Sequence, residues 1–483
     1  MRKGTEILLF LIIFLFSFII RLSLISRGPY HYDGLELAIC SEKTLDTLRI
    51  NYMHGPGYPF TVILGSIFVF LFRLLGNDNP VLAVNFMSVV FSSLGVLMLY
   101  LIIRRLFNLP VALFSSILFS FSPAFLSVSI YGMNISISIF FVLVALLCMI
   151  RFNHDKRVYL VLSGISLGLA AASRLSDALM VLPLSIFYFL EYRKDRYANL
   201  KWLLYFVAPL FLIVVTFYIP MFIKIGLSQI ISFIKNPQGA QFLGLFSRVM
   251  LISFRWILDM LSIPGLIIAI VGGFYLFLNN RRVSLFLILW FLILFLYYAN
   301  VSTVEPRMLV ITIIPLIISM GYFIFFIFQK FKVLSIILLI LLTILMFINI
   351  YPVLSFRHQN ALQVDFAKWV ESLTENNAVI IAADEWIFLN YYTDRKTMGY
   401  PYTCYIEIID AYFTNTIEDF LNKGIPVYII KTAFAYDPCR LFQDKLLNDY
   451  KLIFIGEHLN EDWHHKCISS GIFIEELFKI VKK

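Results

Sequence analysis

Residues 134–183 read NISISIFFVLVALLCMIRFNHDKRVYLVLSGISLGLAAASRLSDALMVLP. Two apolar runs, 134–150 and 158–173, flank a basic loop from Arg151 to Arg157, and Arg174 and Asp177 stand at the far end of the second run. A helix needs roughly 20 apolar residues to cross a hydrocarbon core, so this stretch reads as two antiparallel membrane spans with a basic loop on one side and a polar turn on the other. The pattern continues in both directions. Further apolar runs lie near 7–26, 81–103, 110–130, 178–191, 201–224, 250–278, 283–299, 307–328 and 333–351. With 60% hydrophobic, 17% aromatic and only 14% charged side chains in 483 residues, the chain carries too much apolar surface for a soluble fold.

Charge orients the spans. A shorter apolar stretch, 59–75, is interrupted by Arg73 and reads as an interfacial or re-entrant helix. With Met1 in the cytoplasm, alternation then places Arg104-Arg105, Arg151 to Arg157, Arg193 to Lys201, Arg281-Arg282 and Lys330 to Lys332 on the cytoplasmic side, as the positive-inside bias requires. If 59–75 crossed, all of these clusters would face outward while Arg2 and Lys3 stayed inside. The expected fold is therefore an all-α polytopic membrane core of about eleven spans over residues 1–351. The first run lacks a small-residue cleavage site and reads as a retained span rather than a signal peptide. The net charge of +9 is spread over short clusters between apolar runs, which excludes the basic stripe of a nucleic-acid binder.

Composition shifts after Tyr351-Pro352, marking a second domain over 352–483. In it AVIIAA (378–383), VYIIK (427–431) and KLIFIG (451–456) read as buried strands, and DFAKWVESL (365–373) and TIEDFLNK (416–423) as helices, giving a small extracytoplasmic α/β domain. Of the cysteines at 40, 148, 404, 439 and 467, none forms a CxxC pair or a metal-ligand spacing. On an oxidising side two of Cys404, Cys439 and Cys467 could pair, and the sequence leaves open which two.

The outer loops of this topology, 27–58, 131–133, 174–177, 225–249 and 300–306, hold nearly all the unusual polar residues. Asp33 and Glu36 in HYDGLELA are three apart, which places both carboxylates on one face of a short helix at the membrane surface. Such a pair can deprotonate an acceptor hydroxyl or amine, or hold a divalent cation with His31 or His54 as extra ligands. It can equally cap and solubilise an interfacial helix. HGPGYP (54–59) follows, its Gly and Pro residues bending the backbone before the 59–75 helix.

The carboxylate motif, the His-x-Pro-Gly-Tyr-Pro motif and an Asn-led span (Asn85 in AVNFMSVV) together resemble the C-type glycosyltransferase superfamily. That superfamily includes the protein O-mannosyltransferases and the lipid A aminoarabinose transferases. SGISLGLAAASRLSDALMVLP (163–183) and EPRMLVITIIP (305–315) are similar to its Gly-rich span and its Arg-containing late helix, so the resemblance covers roughly residues 5–330. It implies transfer of a sugar from a polyprenyl-phosphate carrier to an acceptor at the outer membrane surface. Asp33 is then the catalytic base, Glu36 assists it, positions the acceptor or binds metal, and His54 and Tyr58 belong to the substrate site. The adjacent Asp-Glu pair of the protein O-mannosyltransferases is absent here.

A leaving polyprenyl phosphate needs cationic partners at that face, and Arg174 and Arg307 stand at outer span ends beside Asp177 and Glu305. Snorkelling to lipid headgroups is the plainer account of such residues. Asn134 in YGMNIS occupies the turn where some relatives carry a functional Asp, and a helix cap is the plainer account there. Asp259 within an apolar run is costly unless paired, so it either faces an internal cavity or, the plainer account, pairs with Arg255 one turn away. The loop 225–249, with Lys235, Gln238, Gln241 and Arg248, could cover the lipid carrier, a solvated loop being the plainer account, and HLNEDWHHK (458–466) reads as a solvated turn rather than a metal site because its spacing fits no ligand pattern. A transporter would place ionisable groups near the midplane between broken helices, a glycan polymerase or ligase would use a large basic central loop, and an anchor would not need so many spans. The sugar and the acceptor, whether protein, lipid or glycan, are not encoded in any motif. The expected location is a multi-pass position in the plasma membrane of a prokaryote, with the active site extracytoplasmic.

Overall fold

The computed structural model describes residues 3–483 apart from 56, 153–156, 192–195, 226–247, 302–303, 384, 402, 436 and 462–470. Two compact units emerge. The first comprises Met1–Ile25 and Leu37–Phe356, and the second Ser26–Glu36 with Arg357–His465 and Ser470–Lys483.

The first unit is a helical bundle. Its helices are α1 (Lys3–Leu22), the greater part of α2 (Tyr32–Thr47), α3 (Pro59–Leu74), α4 (Pro80–Leu106), α5 (Leu109–Ser120), α6 (Pro123–Val128), α7 (Asn134–Arg151), α8 (Val158–Ser173), α9 (Val181–Glu191), α10 (Arg196–Ile225), α11 (Arg248–Asn279), α12 (Arg281–Tyr298), α13 (Val310–Lys330) and α14 (Lys332–Gln359). Seven stretches among the described residues are long and apolar enough to cross a membrane, while α3, α5 and α8 are shorter apolar helices. Asn79, Asn108 and Asn280 start α4, α5 and α12 by accepting the backbone N–H of Leu82, Val111 and Val283. The run 110–130, expected as one span, is split between α5 and α6. Pro123 has no N–H to donate and restricts Ser122 before it, so the helix stops and restarts there. Within α11, Ser262 takes a left-handed φ of 63° two residues before Pro264, and its hydroxyl receives the Gly265 N–H at 3.3 Å.

Burial runs inside out relative to a soluble protein. Ile7, Leu8, Ile12 and Ile19 of α1 and Val333, Leu334 and Ile337 of α14 are exposed, while Ser88, Ser92, Ser115, Ser138 and Ser163 are buried among the helices. Small residues let backbones approach where no water drives association. A Cβ on Gly164 would fall 2.1 Å from the Phe206 carbonyl oxygen, and one on Gly168 3.1 Å from that of Leu210, so this four-residue glycine spacing sets the α8–α10 contact. The arginine-rich and lysine-rich ends of α4, α7, α12, α13 and α14 all lie opposite the ends that carry Asn134, Arg174, Tyr298 and Arg307. Helix α3 keeps to the latter side. Thr61 Oγ1 donates to the Ser173 carbonyl at the end of α8, Phe68 and Phe72 lie against Phe86 near the start of α4, and Arg73 pairs with Glu42 and Asp46 of α2.

The second unit is built on a five-stranded sheet of order β2-β1-β3-β5-β4, with β1 Val379–Ala382, β2 Lys396–Gly399, β3 Val427–Ile430, β4 Tyr450–Glu461 and β5 Ile472–Lys482. β1 runs parallel to β2 and β3, and β5 pairs antiparallel with both β3 and β4. Helix α15 (Leu362–Leu373) buries Phe366, Ala367 and Val370 in the same core as Ile380, Ile429, Phe442 and Leu477. Cys404 and Cys439 form a disulfide. Cys467, the third candidate, lies outside the described residues. The 458–461 part of the expected turn is strand, with Asn460 and Glu461 buried and His458 5.4 Å from the Trp369 ring, because β4 runs on to pair with Ile472. Residues 462–466 lie outside the described residues.

Candidate active site

Four helix ends on the side opposite the basic clusters meet at Arg174 and Asp177. Arg174 follows α8 in extended conformation, and Asp177 lies in the short 3-10 turn Leu175–Met180 before α9. Asp177 is completely buried, and such a charge persists only when its lone pairs are filled. They are filled by distant hydroxyls. Ser138 of α7 donates to Oδ2 at 2.5 Å, Tyr298 at the end of α12 donates to Oδ1 at 2.6 Å, and Arg174 Nη1 stands 3.6 Å from Oδ1. The Arg174 guanidinium also lies 4.9 Å above the Tyr298 ring.

Arg307 comes from the turn Pro306–Leu309 that precedes α13. Its Nε lies 2.7 Å from Glu305 Oε2, its Nη2 donates to Glu305 Oε1 at 3.2 Å, and its Nη1 reaches Met133 Sδ at 3.6 Å. Arg174 and Arg307 are 7% and 6% exposed and close enough for each to feel the other's charge, so two like charges lie out of water at the same helix ends. Arg174 Nη1 has no hydrogen-bond partner among the described residues. A buried cation with an unfilled N–H, beside a second cation, is a place where anionic oxygens dock favourably.

Tyr58 caps α3 with φ 45° and ψ 49°, directly after Gly57 at φ 93°. Two successive left-handed residues turn the chain sharply into α3, and for Tyr58 this is strain of the kind that clusters at functional sites. His54 is exposed and its ring lies 5.6 Å from that of Tyr58. The 131–133 turn is tied to α4, with Asn85 Oδ1 accepting the Gly132 N–H at 2.7 Å and Ser88 Oγ accepting that of Met133 at 3.0 Å. Asn134 is not a cap. It occupies the first helical position of α7, and Met133 at the cap position makes no side-chain bond.

Asp33 and Glu36 lie in the first turns of α2 and belong to the second unit. Both are half-buried, one turn apart on one face. His31 is buried and its Nδ1 accepts the Asp33 backbone N–H at 3.0 Å, which caps the helix. The Asp33 carboxylate stands 3.6 Å from the same nitrogen. Among the described residues no group of three or more His, Cys, Asp or Glu could hold a metal ion.

Other expectations fare unevenly. Arg255 and Asp259 are both exposed on α11 and form no ion pair, since a base placed four residues before an acid is the weaker helical order. Lys235, Gln238 and Gln241 lie outside the described residues, and Arg248 begins α11. Ser138 and Tyr298 were not singled out from sequence, because a lone hydroxyl within an apolar run looks like any other core residue until its partner is known.

Residues 61–219 match the family model described as dolichyl-phosphate-mannose-protein mannosyltransferase. No curated protein sequence matches the chain. Over the whole length the fold is similar to that of ArnT from Cupriavidus metallidurans in the apo state, with TM-score 0.67, 11% identity, and coverage of 99% of this chain and 98% of that one. ArnT bound to undecaprenyl phosphate matches with TM-score 0.60, 12% identity and the same coverage. The oligosaccharyltransferase of Archaeoglobus fulgidus matches with TM-score 0.58 and 15% identity over 92% of this chain and 71% of that one. The chain is thus a polytopic membrane protein with the C-type glycosyltransferase fold.

Proposed function

We propose that the protein transfers a sugar from a polyprenyl-phosphate donor to an acceptor on the extracytoplasmic face of a prokaryotic plasma membrane. The observation that carries this reading is the buried Arg174–Arg307 pair, whose unfilled Arg174 Nη1 suits a phosphate oxygen, at the helix ends opposite the basic clusters. The match of residues 61–219 to a mannosyltransferase model and the undecaprenyl phosphate bound by ArnT support the same donor class. Positive-inside bias supports the orientation.

The reaction is an inverting displacement at the anomeric carbon. The acceptor O–H or N–H gives its proton to the Asp33 carboxylate as its heteroatom bonds to the anomeric carbon, and the bond from that carbon to the phosphate oxygen breaks with its electron pair staying on the polyprenyl phosphate. Arg174 and Arg307 bind the phosphate and stabilise the charge that grows on it, while Asp177 and Tyr298 hold Arg174 in place. Tyr58 and His54 line the substrate side through the strained turn before α3, and Glu36 orients the acceptor.

The test is transfer of radiolabelled sugar from a panel of synthetic polyprenyl-phosphate sugars by the purified protein, with and without chelator, against protein, lipid and glycan acceptors. Turnover of one donor sustains the transferase reading, and turnover that survives chelator removes a divalent cation from it. Loss with chelator returns Asp33, Glu36 and His54 to candidate ligands. Neither turnover nor binding of any donor sinks the proposal.

A further inference from the structure

The segment that carries the carboxylates packs with the C-terminal part of its own unit, where Arg27, Gly28 and Tyr30 meet Arg357, Gln359, Ala361 and Gln363. The Arg27 N–H donates to the Arg357 carbonyl at 3.0 Å, and Arg27 Nη1 to the Gln359 carbonyl at 3.0 Å. Gly28 lies so close to Ala361 that a Cβ there would stand 2.9 Å from the alanine Cβ. Tyr30, 2% exposed, lies with its ring 3.1 Å from the guanidinium carbon of Arg357, and its carbonyl accepts from Gln363 Nε2 at 3.0 Å. Arg357 itself is 1% exposed with Glu461 of β4 3.6 Å from its Nε, and Gln363 also donates to the Glu461 carbonyl at 3.5 Å.

Tyr30 carries a left-handed φ of 58°. A bulky residue keeps that conformation only where its surroundings over-determine it, and here both ring and carbonyl are fixed from one side. The next residue is His31, which caps the helix on whose first turns Asp33 and Glu36 sit. Relaxing Tyr30 to an ordinary φ would redirect the chain just before that cap and swing both carboxylates.

We propose that Arg357, Gln363 and Glu461 are positioning residues that lock Tyr30 in its left-handed conformation and thereby aim Asp33 and Glu36, which makes the C-terminal unit part of the catalytic machinery. This rests on Asp33 as the base. Arg357 supplies the planar cation that stacks on the ring, Gln363 grips the carbonyl, and Glu461 neutralises the buried guanidinium.

The experiment uses the full-length protein and compares Arg357→Met, Arg357→Lys, Gln363→Ala and Asp33→Asn, reading kcat, donor KM and amide exchange across 26–36. Misplacing a catalytic group by about 1 Å costs on the order of 100-fold, so Arg357→Met should lose about that much kcat and Gln363→Ala about tenfold. Donor KM should stay within about threefold, because the phosphate contacts are elsewhere. Arg357→Lys keeps the cation without the planar stack and should recover part of the loss. Exchange in 26–36 should rise in step with the loss of kcat. Wild-type kcat in Gln363→Ala and Arg357→Lys, with Asp33→Asn inactive, overturns the positioning role and leaves the base assignment standing, and this pair decides the matter if Arg357→Met does not fold. A raised donor KM with unchanged kcat overturns it as well. A fully active Asp33→Asn removes the base assignment and the proposal with it.

Discussion

Asp177 and Tyr298 meet across 121 residues of chain, whereas His31 and the N–H it caps are two residues apart. The arginine cluster is assembled from the ends of α7, α8 and α12 and the turn before α13, is almost wholly buried, and has its carboxylates already engaged. The carboxylate turn is local, half-exposed, and held by a strained residue braced within the second unit. The difference fits two tasks. A phosphate with a long apolar tail is best met by preorganised charges in a packed bundle, while the proposed base needs an accessible carboxylate whose direction is fixed by its support.

The sharpest way to break this division is Asp33→Asn. Removal of a general base costs about 100- to 10,000-fold in rate, and donor binding should be untouched, so single-turnover transfer and polyprenyl phosphate binding measured on the same sample must separate. A parallel loss of donor binding would merge the two regions into one.

A second expectation concerns the second unit by itself. Glu475 of β5 is completely buried, and that burial pushes its carboxyl up to about 7, against the hydrogen bonds it accepts from the Thr432 and Glu476 backbone. The folded unit therefore binds the proton more tightly than the unfolded chain. Stability is full below about pH 4.5 and falls as pH rises to about 7, by roughly 3 kcal/mol at most. Glu475→Gln should flatten that slope, read from amide exchange of β3 and β5 at pH 5 and pH 7.5. An unchanged slope would assign the titration to another group.

Next in size is Arg307→Gln. Charge-assisted hydrogen bonds are worth about 1.5–3 kcal/mol, so donor affinity should fall about 10- to 100-fold, with a smaller change in the pH profile that reports the base. If kcat falls and donor affinity holds, Arg307 acts only as the charge develops, and the bundle site is kinetic rather than binding. The smallest effect is expected from Tyr298→Phe, which leaves Asp177 one donor short at a cost of about 1–3 kcal/mol in bundle stability and a few-fold in donor affinity, read from melting in detergent. No shift would mean that the Ser138 bond suffices.

Much of the bundle could be read directly from residue order. Apolar runs of spanning length and clusters such as Arg104-Arg105 and Arg281-Arg282 act through the solvent, lipid or water, and need no knowledge of neighbours. The Asp33–Glu36 spacing and the bend at Gly57-Tyr58 were equally local. The break at Ser122-Pro123 had its signal in the proline and was hidden by unbroken hydropathy. Strand β5, IFIEELFKIVK, mixes charge with apolar residues and its alternation blurs, because Glu475 is buried while Ile472 and Ile474 are exposed. Glu461 seemed to belong to a solvated turn, yet it is buried opposite Arg357.

Sequence alone determined that the chain crosses a membrane many times, which ends of its helices are basic, and that two arginines stand at the other ends. Those features follow from burial preference and short-range geometry, which act residue by residue. Tertiary structure alone decided that Ser138 and Tyr298 hold Asp177, that Arg307 is bound by Glu305 and reaches Met133, and that Ser26–Glu36 belongs with the C-terminal sheet. Each depends on which distant side chain fills a buried hydrogen-bond vacancy, and that choice is made only when the chain packs.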